Sequence, residues 1–194
     1  MPNDHWNSPH EVLERARRVG PIALDPCSNA TSKVAAQVEL FVDRKPKGGG
    51  FNRSRLGRRG GLDADWAGIV EDLGLAGAGI TYVNPKYSNP AGWILKCLEE
   101  AARGCEQVLL VPSDSGVRWF QDAWRGCDAV CLPDHRLAFL DAKGKPAKGN
   151  RGSSAIFYFG ERAKRFLAAF HDFGVTVVRT RPPRLQLARA EAAR

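Results

Sequence analysis

Short apolar runs alternate along this chain with longer stretches whose apolar residues recur at helical spacing. The runs cover Pro21 to Leu24, Val38 to Val42, Gly79 to Val83, Gln107 to Val111, Ala129 to Leu132, Arg136 to Leu140, Ala155 to Phe159 and Val175 to Arg179. Each is predicted to be a strand. Between them the pattern predicts a helix over Pro9 to Val19, with Ser8 as its N-cap and Pro9 in its first turn, and another from Asn29 through Ala36. Further helices are predicted over Trp66 to Leu73, Asn89 to Ala102, Ser115 to Trp124 and Glu161 to Phe170. Strands alternating with helices build an open sheet covered on both faces, so the expected class is α/β with a mostly parallel sheet. With 194 residues, one domain spanning 1–194 is expected.

Two stretches depart from this pattern. Asp43 to Gly61 and Asp141 to Gly152 are rich in glycine and basic residues and hold almost nothing that joins a core. They are expected to be flexible loops, the first ordering on a polyanion. The net charge of +8 agrees, because clustered Lys and Arg bind phosphates by releasing condensed counterions. The nucleic-acid contacts expected from them are Lys45, Lys47, Arg53, Arg55, Arg58 and Arg59 in the first loop and Lys148 and Arg151 in the second.

Composition narrows the class further. A hydrophobic share of 43% and a charged share of 26% are those of a globular protein, and no apolar run approaches a membrane span. The opening MPNDHWNSPHEV shows neither a basic leader nor an apolar stretch, so a cytoplasmic protein is expected. Five cysteines form no CxxC pair; reduced thiols and no structural zinc are expected. The four histidines are scattered, and none is given a catalytic role.

The segment richest in chemistry is Thr81-Tyr82-Val83-Asn84-Pro85-Lys86-Tyr87-Ser88, a buried strand that stops in an Asn-Pro turn. Ligands of open α/β sheets bind beyond the carboxyl ends of strands, where this turn falls. An exocyclic amino group is a poor nucleophile because its lone pair is delocalised into the ring. Two acceptors, the Asn84 side-chain oxygen and the Pro85 carbonyl, bond its two N–H groups and leave the lone pair facing an electrophilic methyl. Tyr87 offers a ring on which an extruded base stacks. The same string also fits a plain turn, and it suits a protein glutamine as well as a base.

Around this turn the chain resembles the phage-type Dam family of DNA adenine-N6 methyltransferases. The resemblance rests on a series of short matches in one order: Trp6-Asn7-Ser8-Pro9, Leu24-Asp25-Pro26-Cys27, Gly61-Leu62 with Trp66, and Asn84-Pro85 with Tyr87 and Ser88. Trp93 and Lys96, Leu110 to Pro112, Trp119-Phe120, and Arg136, Leu137 and Phe139 follow. It implies a Rossmann-like methyltransferase fold, S-adenosyl-L-methionine (SAM) as cofactor, DNA as partner and adenine as target. Asp25, Pro26, Cys27 and Ser28 then form the first cofactor loop, Asp25 holding the SAM amino group. Trp6 and Ser8 join them, Ser8 at the carboxylate, with Glu39 or Asp43 at the ribose and Asp65 near the adenine. Lys86, Ser88 and Arg136 join the nucleic-acid contacts. Lys86 stands where the family has a second proline, which leaves one fixed φ angle in the turn but keeps both acceptors. The alternatives carried forward are a cytosine-N4, protein or RNA methyltransferase and a DNA-binding relative with impaired catalysis.

Overall fold

The computed structural model describes residues 6–41, 60–147 and 152–179. The candidate phosphate contacts Lys45, Lys47, Arg53, Arg55, Arg58, Arg59, Lys148 and Arg151, and with them Asp43, lie outside the described residues.

The chain opens with α1 (His10–Val19), whose apolar residues Val12, Leu13, Ala16 and Val19 fall on one side and are buried. It continues through β1 (Ile22–Ser28), β2 (Val38–Phe41), a 3₁₀ turn at Gly61–Asp63, α2 (Trp66–Asp72) and β3 (Ile80–Val83). Then come α3 (Ala91–Ala102), β4 (Gln107–Pro112), α4 (Arg118–Gly126), β5 (Ala129–Pro133), β6 (Ser154–Phe159), α5 (Ala163–Phe170) and β7 (Gly174–Val178).

The seven strands form one sheet in the order β2-β1-β3-β4-β6-β5-β7. Successive side chains of a strand point to opposite faces, and the burial follows that rule. Ile22, Ile80, Tyr82, Val108, Leu110, Ile156 and Tyr158 meet α1 and α5, while Ala23, Val83, Leu109, Val111, Phe157 and Phe159 meet α2, α3 and α4. The α/β class holds, and helices cover both faces. The sheet is mixed: β1–β2, β1–β3 and β3–β4 pair in parallel, whereas β4–β6, β5–β6 and β5–β7 pair antiparallel. The connection from β5 to β6 holds no helix among its described residues, and antiparallel neighbours need none.

Two expected elements are corrected. No helix forms over residues 29–36, because the polar side chains there bond the backbone locally: Asn29 Oδ1 accepts from the Thr31 N–H at 2.8 Å and Ser32 Oγ from the Val34 N–H at 3.2 Å. Arg136 to Leu140 is not a strand either. Only Leu140 makes bridges there, to Asn7 and to Pro146.

At the sheet's other end, Arg162 ties three segments together. Its Nε donates to Glu106 Oε2 at 2.8 Å, Nη1 to the carbonyls of Val19 and Ala78 at 3.1 and 2.6 Å, and Nη2 to that of Gly79 at 3.1 Å. The Tyr158 hydroxyl donates to the same Glu106 oxygen. This end is built for stability, which leaves chemistry to the carboxyl ends of β1 and β3.

Candidate active site

Pro26 shapes the site. It has no N–H to give a ladder, so it is tolerated only where pairing lapses. The pairing of β1 with β3 ends at Leu24, and its register with β2 shifts between Asp25 and Ser28. From here the chain leaves β1 toward β2 on one side, while β3 is followed by β4 on the other. Adjacent strands whose connections depart in opposite directions open a crevice between their carboxyl ends. Asp25 to Ser28 line one wall and Asn84 to Tyr87 the other. Cys27 joins the two, its thiol lying against the Asn84 backbone N–H.

Asp25 is 3% exposed. Its Oδ1 accepts from the Cys27 N–H at 3.0 Å and its Oδ2 from the Ser32 hydroxyl at 3.2 Å. Burial, reinforced by Glu39 opposite it in the β1–β2 register, pushes its carboxyl from 3.8 up to about 7. Glu39 accepts from the Ser28 hydroxyl at 3.2 Å and is also raised by burial. Neither carboxylate has an ion-pair partner among the described residues. Two neighbouring acids without a cation suit a cationic ligand.

On the opposite wall Asn84 Nδ2 donates to Ser8 Oγ at 3.0 Å, which leaves Oδ1 as the amide's acceptor end. This corrects the expectation for Ser8. Helix α1 begins one residue later, with Pro9 at its N-cap position and no side-chain cap, and the Ser8 hydroxyl turns into the site instead. The segment carrying Ser8 is anchored by Asn7, which exchanges backbone bonds of 2.8 and 2.9 Å with Leu140. Asn7 Nδ2 also reaches Thr31 Oγ1 at 3.2 Å and the Asp141 carbonyl at 3.3 Å. Beside it stands an aromatic group in which Phe139 meets Trp6 at 6.1 Å and Tyr87, edge-on, at 5.7 Å.

A family model described as DNA N-6-adenine-methyltransferase (Dam) matches residues 57–177. The chain belongs to this family. A DNA N-6-adenine-methyltransferase of Escherichia phage T1 is 24% identical over 192 residues, covering 90% of this chain and 70% of that protein. No solved structure matches the chain.

The Dam match takes in Asn84, Pro85 and Tyr87, whereas Trp6, Ser8 and Asp25 lie upstream of it and are brought to the same crevice by the fold. Asp65 is engaged elsewhere. It caps α2 through the Gly68 N–H at 2.9 Å and pairs with Arg103 at 2.8 Å, which holds its carboxyl below the usual range. Lys86 is half-buried, and Ser88 and Arg136 are exposed. Three residues of the site were missed in the sequence: Asn7, Gly61 and the aromatic role of Phe139. Gly61 packs directly on Pro26, where a Cβ on it meets the Pro26 carbonyl oxygen at 1.9 Å. The signal for Gly61 was its place in a Gly-Leu pair ahead of Trp66, whose indole N–H donates to the Gly61 carbonyl at 2.7 Å.

Proposed function

We propose that this Dam-family chain methylates the N6 amino group of an adenine extruded from DNA, with SAM as methyl donor. The observation that carries the reading is the orientation of Asn84: its nitrogen is tied to Ser8, so its oxygen is presented as an acceptor at the end of β3. Asn84 Oδ1 and the Pro85 carbonyl accept the two N6 hydrogens, and the electron density they return to the nitrogen turns its lone pair outward. Tyr87 and its aromatic neighbours hold the base plane. The transfer needs no strong base, since a proton leaves the nitrogen readily once it is cationic.

SAM, when bound, supplies an electrophilic methyl on a sulfonium. The donor set fits it. Asp25 and Glu39 are neighbouring acids that lack a cation among the described residues, so Asp25 receives the ammonium and Glu39 the ribose hydroxyls. Gly61 keeps the Pro26 loop close beside them. The crevice at a switch point, with helices on both faces of the sheet, supports a Rossmann-like reading of the fold. Lys86 and Arg136, with the two basic loops, contact DNA phosphates.

The test is transfer of labelled methyl from SAM to mixed DNA, followed by nucleoside analysis. N6-methyladenine is the expected product, and label on cytosine would replace the substrate assignment. Asn84→Ala should lower turnover about a hundredfold or more while SAM affinity holds. Unchanged turnover would remove the mechanism.

A further inference from the structure

Asn84 presents an acceptor only if its amide stands the right way round. Rotated by half a turn, it would set an NH₂ against the substrate's own NH₂, donor against donor. Among the described residues one side-chain bond holds that amide, from Asn84 Nδ2 to Ser8 Oγ at 3.0 Å. Ser8 is 2% exposed and takes no part in capping α1. It is held from both sides. Asn7 before it is fixed by its two backbone bonds to Leu140, by its amide bonds to Thr31 and Asp141, and by the Asn29 amide, which donates to Asn7 Oδ1 at 3.3 Å. After it, the Pro9 carbonyl accepts from the Val12 and Leu13 N–H groups at 3.2 Å each and starts the helix. A hydroxyl can donate as well as accept, and the buried Tyr82 oxygen on β3, otherwise unpartnered among the described residues, draws the Ser8 proton toward itself and leaves the Ser8 lone pair to the Asn84 N–H.

We infer that Ser8 is a positioning residue for methyl transfer, whose hydroxyl oxygen holds the Asn84 amide with its acceptor toward the target amino group. This differs from a role in binding the cofactor carboxylate, and it rests on the proposed use of Asn84 as acceptor. A carboxylate in place of the amide has two equivalent acceptors and needs no such orientation. The decisive comparison therefore measures Ser8→Ala in the natural chain and again in an Asn84→Asp background.

In the natural chain Ser8→Ala should lower kcat about ten- to a hundredfold, with KM for DNA and SAM affinity by calorimetry little changed. In the Asn84→Asp background the same substitution should cost less than about threefold. Ser8→Cys, close in shape but a weak acceptor, repeats the comparison should the alanine variant fail to fold. An equal loss in both backgrounds overturns the positioning role. So does a loss of SAM affinity with kcat retained at saturating SAM, which would place Ser8 on the cofactor. If Asn84→Ala is inactive while Ser8→Ala and Ser8→Cys are fully active, the Ser8 inference fails alone; if Asn84→Ala is fully active, the reading beneath it fails.

Discussion

Replacing Asp25 with asparagine keeps the shape of a buried carboxyl and removes its charge. In the fold this group titrates at about 7 instead of 3.8, so between those values the folded chain holds a proton that the unfolded chain has released. Stability therefore falls as pH rises through that window, by about 1.4 kcal/mol per pH unit, and is lowest above 7. The whole loss amounts to about 4 kcal/mol. Asparagine escapes this cost. Its oxygen still accepts from the Cys27 N–H, and its nitrogen donates to Ser32 Oγ in place of the bond from the serine. Without SAM, Asp25→Asn should thus melt higher than the natural chain at pH 8, by roughly 10 °C at about 2–4 °C per kcal/mol, and nearly equal to it at pH 4. SAM reverses the ranking. The natural chain's affinity should climb about tenfold per pH unit below 7 and level off above it, while the variant binds weakly with no such slope. Thermal melts and calorimetry across pH 4 to 9 make the comparison. An equal or lower melting temperature for Asp25→Asn at pH 8 would refute the desolvation argument, and a retained pH slope in SAM binding would take the ammonium away from Asp25.

Arg162→Ala should cost about 3–5 kcal/mol in urea unfolding, because it strands the Glu106 carboxylate and releases three carbonyls at once; a loss under about 1 kcal/mol would show that water replaces the guanidinium freely. Gly61→Ala forces a methyl into the Pro26 carbonyl and should move the β1 loop, weakening SAM binding about tenfold or more in calorimetry with the fold retained. Unchanged affinity would place the cofactor away from that loop.

Much of the architecture was legible because burial and periodicity coincide. Helix α1 and strands β3, β4 and β6 carry unbroken apolar faces, and each lies within two residues of its expected bounds. The 29–36 segment misled because Ala, Lys and Val there have helical spacing, yet Asn29 and Ser32 bond their own backbone first. Arg136 to Leu140 alternates like a strand, but its buried Leu137 and Phe139 pack beside the site rather than extend the sheet. The Asn84–Pro85 turn could be read from its chemistry. Ser8 could not be paired with it, since 76 residues separate the two and a Ser-Pro before a helix is the usual sign of a cap. The same holds for Glu106 and Arg162, which are 56 positions apart and meet only through the sheet.

The place of β6 between β4 and β5 governs the order in which this molecule completes itself on the ribosome. Strands β1 to β4 emerge early and pair among themselves, but β5 has no partner in the sheet until residues 154–159 follow it out. Until then Gln107–Pro112, an uncharged run of valine and leucine, bears a bare edge able to recruit a strand from another chain. The anchor of Ser8 is late for the same reason, because Leu140 and Asp141 must arrive before Asn7 is held. A nascent chain that has already made Asn84 thus still lacks the residues that anchor Asn7 beside Ser8, and the support under that amide and the pairing of β4 both wait on residues 140–159.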